Sequence, residues 1–301
     1  GHGFIEMVSD WDDPSPEEEF KMFRRVVEAS GRPMVFTCNQ RHDGRGTFWK
    51  DLMTYAREAR DDGHILRPVV APRPIGVMLG LNGSQNPFSG TPTYRSIEHL
   101  PLDQRVEAMS QPNIRAKILS EDPVKQSTFP LVHRILFTQM FRLGSPANYT
   151  PLPEESISAM AQNAGVTPQE MAYDILLEDQ GRGFIYAPLV NYANYTMDAC
   201  AEMLDDPYSI MGLGDGGAHV GFILDAGYPT WLISYWNQKQ KRYSVEETVR
   251  RLTSDTAKAV GLFDRGRIAV GLKADFNVID WSSVRAGDPY LISDLPAGGS
   301  R

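Results

Sequence analysis

The chain has 301 residues and only two cysteines, Cys38 and Cys200. Two thiols make no disulfide framework, which fits a reducing compartment and points to the cytoplasm. No apolar run approaches the roughly 20 residues needed to span a bilayer, so no membrane partner is expected. Positive charge is in deficit: 30 Lys and Arg stand against 38 Asp and Glu, a net charge of −8. That balance argues against a nucleic-acid partner, whose phosphates need a basic face. Histidine is scarce as well. The six, His2, His42, His64, His99, His133 and His219, include no pair spaced as metal ligands on one strand or helix. His42 and Asp43 are adjacent, so on a strand they would point to opposite faces. Internal repeats and low-complexity tracts are absent.

What is present is a globular composition, 42% hydrophobic and 23% charged, long enough to bury a sizeable core. The most informative stretch is Gly212-Leu-Gly-Asp-Gly-Gly-Ala-His-Val-Gly221. A short apolar run, Ser209 to Leu213, leads into a glycine turn that carries Asp215, with His219 four residues later. Glycines beside an acid let the backbone approach a ligand closely. A carboxylate just past a strand's C-terminal end sits where barrel enzymes place their chemistry. An ordinary Asp-Gly turn is the alternative.

The remaining pattern alternates strands and helices. Strands are expected at Phe4–Val8, Met34–Cys38, His64–Val70, Phe184–Leu189 and Ser209–Leu213. Ser15-Pro-Glu-Glu18 reads as a cap and first turn, opening a helix that Gly31 and Pro33 close. A second helix is expected near 48–62. An irregular insertion, about 78–182, holds helices at 103–109, 154–163 and from the Thr167–Glu170 capping box to Glu178. Later helices are expected at 230–238 and 245–260, the latter opened by a Ser244–Glu247 box. Residues 267–279 read as a turn and a strand. The order of elements argues for parallel βα units.

The Gly214–His219 block, Asp294-Leu-Pro-Ala-Gly298 and Arg265-Gly-Arg-Ile-Ala-Val-Gly-Leu-Lys-Ala-Asp275 resemble the amidohydrolase superfamily, in the branch of N-acyl-D-amino-acid deacylases. Ser30-Gly-Arg-Pro33 and Arg73-Pro-Ile-Gly76 extend the likeness over nearly the whole chain. The resemblance implies an α/β fold. It would be a partial (β/α)8 TIM barrel, the C-terminal strands four to eight, in residues 1–262 with the insertion at 78–182. Residues 263–301 would be a short β-sandwich segment and tail. Strands one to three would then be missing, and the open edges would require a homo-oligomer, a missing N-terminal segment or a rearrangement. Counting Phe129–Phe137 as a strand is the competing way to fill the barrel.

The same resemblance implies a metal-dependent hydrolase, with zinc, that cleaves the amide bond of an N-acyl amino acid. The metal would activate a water, and Asp215 would pass the water's proton to the departing amine. The family's His-x-His or His-x-Asp pair is absent, and its strand-end histidines are replaced by Thr37-Cys38-Asn39-Gln40 and Val70-Ala71-Pro72-Arg73. Asp215 and Cys38 are the candidate metal ligands, with Cys38 as a packed core thiol the alternative. Arg73, between two prolines, is a candidate fork for the substrate carboxylate, or one side of an internal salt bridge. Gln40 and His219 join it as substrate-binding candidates, ahead of Asn39, Tyr192 and Tyr195. Asp264 and Arg265 are expected to serve a turn. An inert homologue without metal, and a cyclic-amide hydrolase of the hydantoinase or dihydroorotase kind, are the alternative readings.

Overall fold

The computed structural model describes residues 3–8, 15–42, 46–122, 135–214, 221–296, 299 and 301. Asp215, His219, His2, His133 and most of the 129–137 segment lie outside the described residues. In chain order the strands are β1 (Ile5–Met7), β2 (Met34–Thr37), β3 (Leu66–Val70), β4 (Ile75–Gly80), β5 (Phe141–Leu143), β6 (Phe184–Val190) and β7 (Ile210–Met211). The first helices are α1 (Pro16–Ser30), α2 (Phe48–Asp61), α3 (Pro92–Ile97), α4 (Leu102–Met109), α5 (Pro112–Ser120), α6 (Ile157–Ala164) and α7 (Pro168–Gly181). After them come α8 (Asp198–Asp205), α9 (Tyr228–Trp231), α10 (Val245–Arg250) and α11 (Thr256–Ala259). No helix among the described residues is long and apolar enough to cross a membrane.

The chain divides into two compact units. The first comprises 1–74, 190–214 and 225–286. Its sheet runs in the order β1-β2-β3-β7, all parallel. β2 is buried along its whole length and β3 nearly so, the signature of strands covered on both faces. The Ser15 hydroxyl accepts from Glu18 N at the start of α1, Pro16 takes the first turn, and Gly31 ends the helix at φ 61°. Phe20, Phe23 and Val27 form its buried stripe, and Phe20 meets Phe36 of β2 edge-on at 5.6 Å. α2 buries Trp49, Leu52, Met53, Ala56 and Ala59 in the same helical spacing.

The second unit comprises 75–189, 215–224 and 287–301. Its sheet runs β4-β6-β5, with β5 antiparallel to β6. Gly76 and Gly80 leave β4 bare where β6 lays its aromatic rings: a Cβ at Gly80 would meet Phe184 at 2.5 Å, and one at Gly76 would strike Tyr186. Leu79, Met109, Ile118, Tyr173, Leu176 and Ile185 make the core, and the Tyr173 hydroxyl donates to Met109 O at 2.8 Å. The capping box of α7 is complete. Glu170 N donates to Thr167 Oγ1 at 3.2 Å, and Thr167 N donates to Glu170 Oε2 at 2.8 Å.

Several expectations need correction. Residues 75–80 form a strand rather than the lead-in to an irregular insertion. Only four residues separate β3 from β4, too few for a parallel crossover, so β4 belongs to another sheet. The strand expected at 184–189 is present, but it pairs antiparallel with β5; β7 lies directly against β3 instead. Residues 267–279 hold no strand, and Ile268, Val270, Phe276 and Val278 are exposed. Their alternation meets no partner strand among the described residues, and a lone strand leaves its hydrogen bonds unmade. The helix expected at 230–238 continues past α9 as a π-helix over Leu232–Lys239. At α10, Ser244 Oγ accepts from Glu247 N at 3.1 Å. The box's return bond is missing because the Glu247 carboxylate takes Arg251, 2.9 Å away.

The α7 box makes a test. Thr167→Ala should lower stability by about 1 kcal/mol, read as a shift in the urea midpoint at constant slope. No shift would mean that packing alone starts α7.

Candidate functional site at the strand ends

Three parallel strands end together in the first unit. β2 runs out into Cys38-Asn39-Gln40, β3 into Ala71-Pro72-Arg73, and β7 into Gly212-Leu213-Gly214. Cys38 N donates to Val69 O at 2.9 Å, and Gly212 N to Val70 O at 3.2 Å, so the ladder holds right up to the exits. The chain therefore enters the Gly-Asp motif beside the C-terminal end of β3. Leu213 takes φ 63° there, a conformation uncommon outside glycine and asparagine.

The exits are tied by one side chain. Asn191 is fully buried at φ 64°. Its Oδ1 accepts from Gln40 N at 2.8 Å, and its Nδ2 donates to Ala71 O at 3.0 Å and to Asn39 Oδ1 at 3.1 Å. Its own N–H donates to Gln40 O at 2.8 Å. Two further donors complete the strand end: Cys200 Sγ reaches Ala71 O at 3.2 Å, and Trp236 Nε1 reaches Pro72 O at 2.5 Å. From the sequence, Tyr192 and Tyr195 of this loop were candidates but Asn191 itself was not. Trp236 carried no signal beyond being a tryptophan in an apolar helix.

The individual candidates separate clearly. Gln40 is 6% exposed, and its Oε1 accepts from Ala193 N at 3.1 Å, so its amide helps to hold the loop. Cys38 faces the core, 3.7 Å from Met203 Sδ and 3.9 Å from Trp49 O. Burial, with a smaller contribution from the Asp206 charge, pushes its thiol well up; burial does the same to Cys200. Tyr192 and Tyr195 meet edge-on at 6.2 Å. Asp264 and Arg265 pair with each other on the surface at 3.1 Å, and that neighbour holds the Asp264 carboxyl below its ordinary value.

Arg73 is 3% exposed and Asp225 2%; among the described residues these are the two charged side chains that are fully buried. Arg73 donates from Nε to Pro74 O at 3.3 Å, and its guanidinium lies 5.5 Å from the Trp231 ring. Gly227 has no Cβ where one would stand 3.4 Å from Arg73 Nη1. Asp225 and Trp231 were missed at the sequence level because neither belongs to a recognisable spacing.

The described residues do not fit a zinc ion. No group of three His, Cys, Asp or Glu among them could hold a metal. A thiol ligand must ionise, and burial opposes that at Cys38. His64 is engaged with Glu28 at 3.4 Å, on the segment leading into β3 rather than beyond its C-terminal end.

Two outcomes test this arrangement. Asn191→Ala leaves Gln40 N and Ala71 O short of partners and should cost about 3 kcal/mol of stability, measured by urea denaturation. An effect under about 0.5 kcal/mol would show that water replaces the amide. Both thiols should be silent to a disulfide reagent at pH 8 in the native state and titrate fully in denaturant, because the thiolate is the reacting form. Rapid native reaction at Cys38 would restore it as a ligand candidate.

Against known proteins, the chain matches the family model described as Amidohydrolase family over residues 3–294. No curated protein sequence matches significantly. Among solved structures, N-acyl-D-glutamate deacylase from Bordetella bronchiseptica, complexed with zinc and a phosphonate inhibitor, aligns with a TM-score of 0.47 at 13% identity. That alignment covers 91% of this chain and 45% of the deacylase. A D-aminoacylase aligns at 0.46 and 15% identity over 90% of this chain and 45% of its own. This chain thus spans less than half the length of either. The match of the family model over nearly all of the residues places this chain in the amidohydrolase family.

Proposed function

We propose that this chain serves the hydrolysis of the amide bond of an N-acyl amino acid, with Asp215 as the proton carrier. One observation supports the reading most: β7 pairs with β3 and hands the chain into the Gly-Asp motif at the C-terminal edge of a parallel sheet. That edge is where such sheets present chemistry. The four parallel strands would then be one wall of a (β/α)8 barrel.

In this reading a water attacks the amide carbon. The Asp215 carboxylate takes the water's proton as the new C–O bond forms, and the resulting acid gives it to the nitrogen as the C–N bond breaks. The products are a carboxylic acid and an amine, which at neutral pH become a carboxylate and an ammonium ion. One carboxylate suffices because the two transfers are sequential. Arg73 is a buried cation at this edge, and it would grip a substrate carboxylate only in a closed, dry pocket, where a forked charge-assisted pair is strongest. Its other role would be counter-charge to Asp225. His219 and Gln40 are assigned to substrate orientation. A D-configured amino acid is the preferred substrate form.

A second reading, a homologue that binds no metal and turns nothing over, is favoured by the lack of a donor cluster among the described residues. Metal content by plasma mass spectrometry, with assays of N-acyl-D-amino acids beside hydantoin and dihydroorotate, separates the readings. Turnover of the acyl amino acid alone supports the proposal. Turnover of the cyclic amides alone overturns the substrate class, and neither metal nor turnover leaves the inert homologue. In an active preparation, Asp215→Asn should lower kcat at least about 100-fold with the fold unchanged by circular dichroism. Near-normal kcat would remove Asp215 from the role.

A further inference from the structure

The opposite, N-terminal edge of the same sheet carries a cluster that the proposed hydrolysis does not use. Arg60, in the last turn of α2, lies with its guanidinium carbon 3.8 Å from the centre of the Tyr208 ring. Arg67, the second residue of β3, holds its own 5.5 Å from the same ring. Tyr208 belongs to the turn that leads into β7. Two cations thus share one aromatic side chain, and neither has a carboxylate within ion-pairing distance among the described residues.

This is unusual for the chain, whose acids outnumber its bases. Other arginines nearby are supplied with partners: Arg24 has Asp62 at 2.6 Å, Arg57 has Asp206 at 3.9 Å, and Arg242 has Asp205. Asp206 is itself committed to the turn, accepting from Tyr208 N at 2.9 Å. Two buried polar atoms in the same place also lack a partner, Arg67 Nε and Ser209 Oγ. Stacking on Tyr208 accounts for the ring contacts. It leaves both of those atoms unsatisfied and the two like charges uncompensated, which a buried or half-buried group rarely tolerates.

We propose that Arg60, Arg67, Ser209 and the Tyr208 ring form an oxyanion site for a phosphate group, free or carried on a small monoester. A phosphate supplies two negative charges for two guanidinium forks and several acceptor oxygens, including one for the Ser209 hydroxyl. A carboxylate carries one charge and two oxygens and serves this set less completely. The site lies at the strand starts, away from the exits that carry Gln40, Arg73 and the Gly-Asp motif, so occupancy would be separable from hydrolysis.

The test is calorimetric titration of the full chain with inorganic phosphate and with glycerol 3-phosphate, at constant ionic strength, with acetate as control. Saturable binding of either phosphate, and none of acetate, is expected; the tighter of the two identifies the source. Arg60→Gln and Arg67→Gln should each weaken binding by about tenfold or more, and Ser209→Ala by less. Should Arg67→Gln fail to fold, Arg60→Gln decides alone, because it sits at a helix end. Absence of saturable phosphate binding, equal binding of acetate, or unchanged affinity in the folded arginine variants would overturn the site.

Discussion

The first unit depends on a buried amide. Parallel strands have no hairpin to close them, so their C-terminal ends leave N–H and C=O groups that must find partners elsewhere. Asn191 meets that demand at β2 and β3 together, through three side-chain bonds and one from its own backbone. The residue type follows from the task. A short amide offers two donor hydrogens and an acceptor oxygen at one side-chain end, and asparagine tolerates the left-handed backbone better than most residues. Aspartate would lose the donor and bury a charge. This contact ties the two strand ends together beyond the last ladder bond and fixes where the loops after them begin.

How much was legible from the chain follows from how local the signals are. Ser15, Gly31 and Thr167 announce helix ends because each cap is closed by atoms three or four residues away. The strand runs at 34–37 and 66–70 are recognisable because burial on both faces demands continuous apolar side chains. Sheet membership is not local. The 184–190 run is apolar enough for a buried parallel strand, but its place beside β5 depends on residues more than forty positions earlier. The 75–80 run hides for the same reason. Its glycines read as loop punctuation, whereas Gly80 makes room for Phe184.

Residues 267–279 teach the reverse lesson. Alternation of Ile268, Val270, Phe276 and Val278 satisfies the pattern of a strand, and pattern is only half of what a strand requires. Without a neighbour to take the hydrogen bonds, that side-chain pattern produces an extended, solvated segment. The nearby Trp281 shows what anchors the tail instead: its indole donates to Asn237 Oδ1 at 2.9 Å, and its carbonyl accepts from Gln238. A single aromatic with two polar ties does there what a sheet does elsewhere.

The strand exits carry the largest consequence. The resemblance leads one to expect a histidine after β2 and another after β3, where a shared metal would cross-link the two ends. The chain places Gln40 and Arg73 at those exits, and a web of amide, thiol and indole donors joins the same backbone. A metal and such a web are alternative solutions to one mechanical problem, that of fixing two strand ends a few ångströms apart at a polar edge. They differ in what they leave over. A metal keeps a coordination position open for chemistry, whereas Asn191 spends its amide, and Gln40 its amide oxygen, on the scaffold. The web therefore holds the exits in place and leaves the chemistry of the proposed hydrolysis to groups outside it.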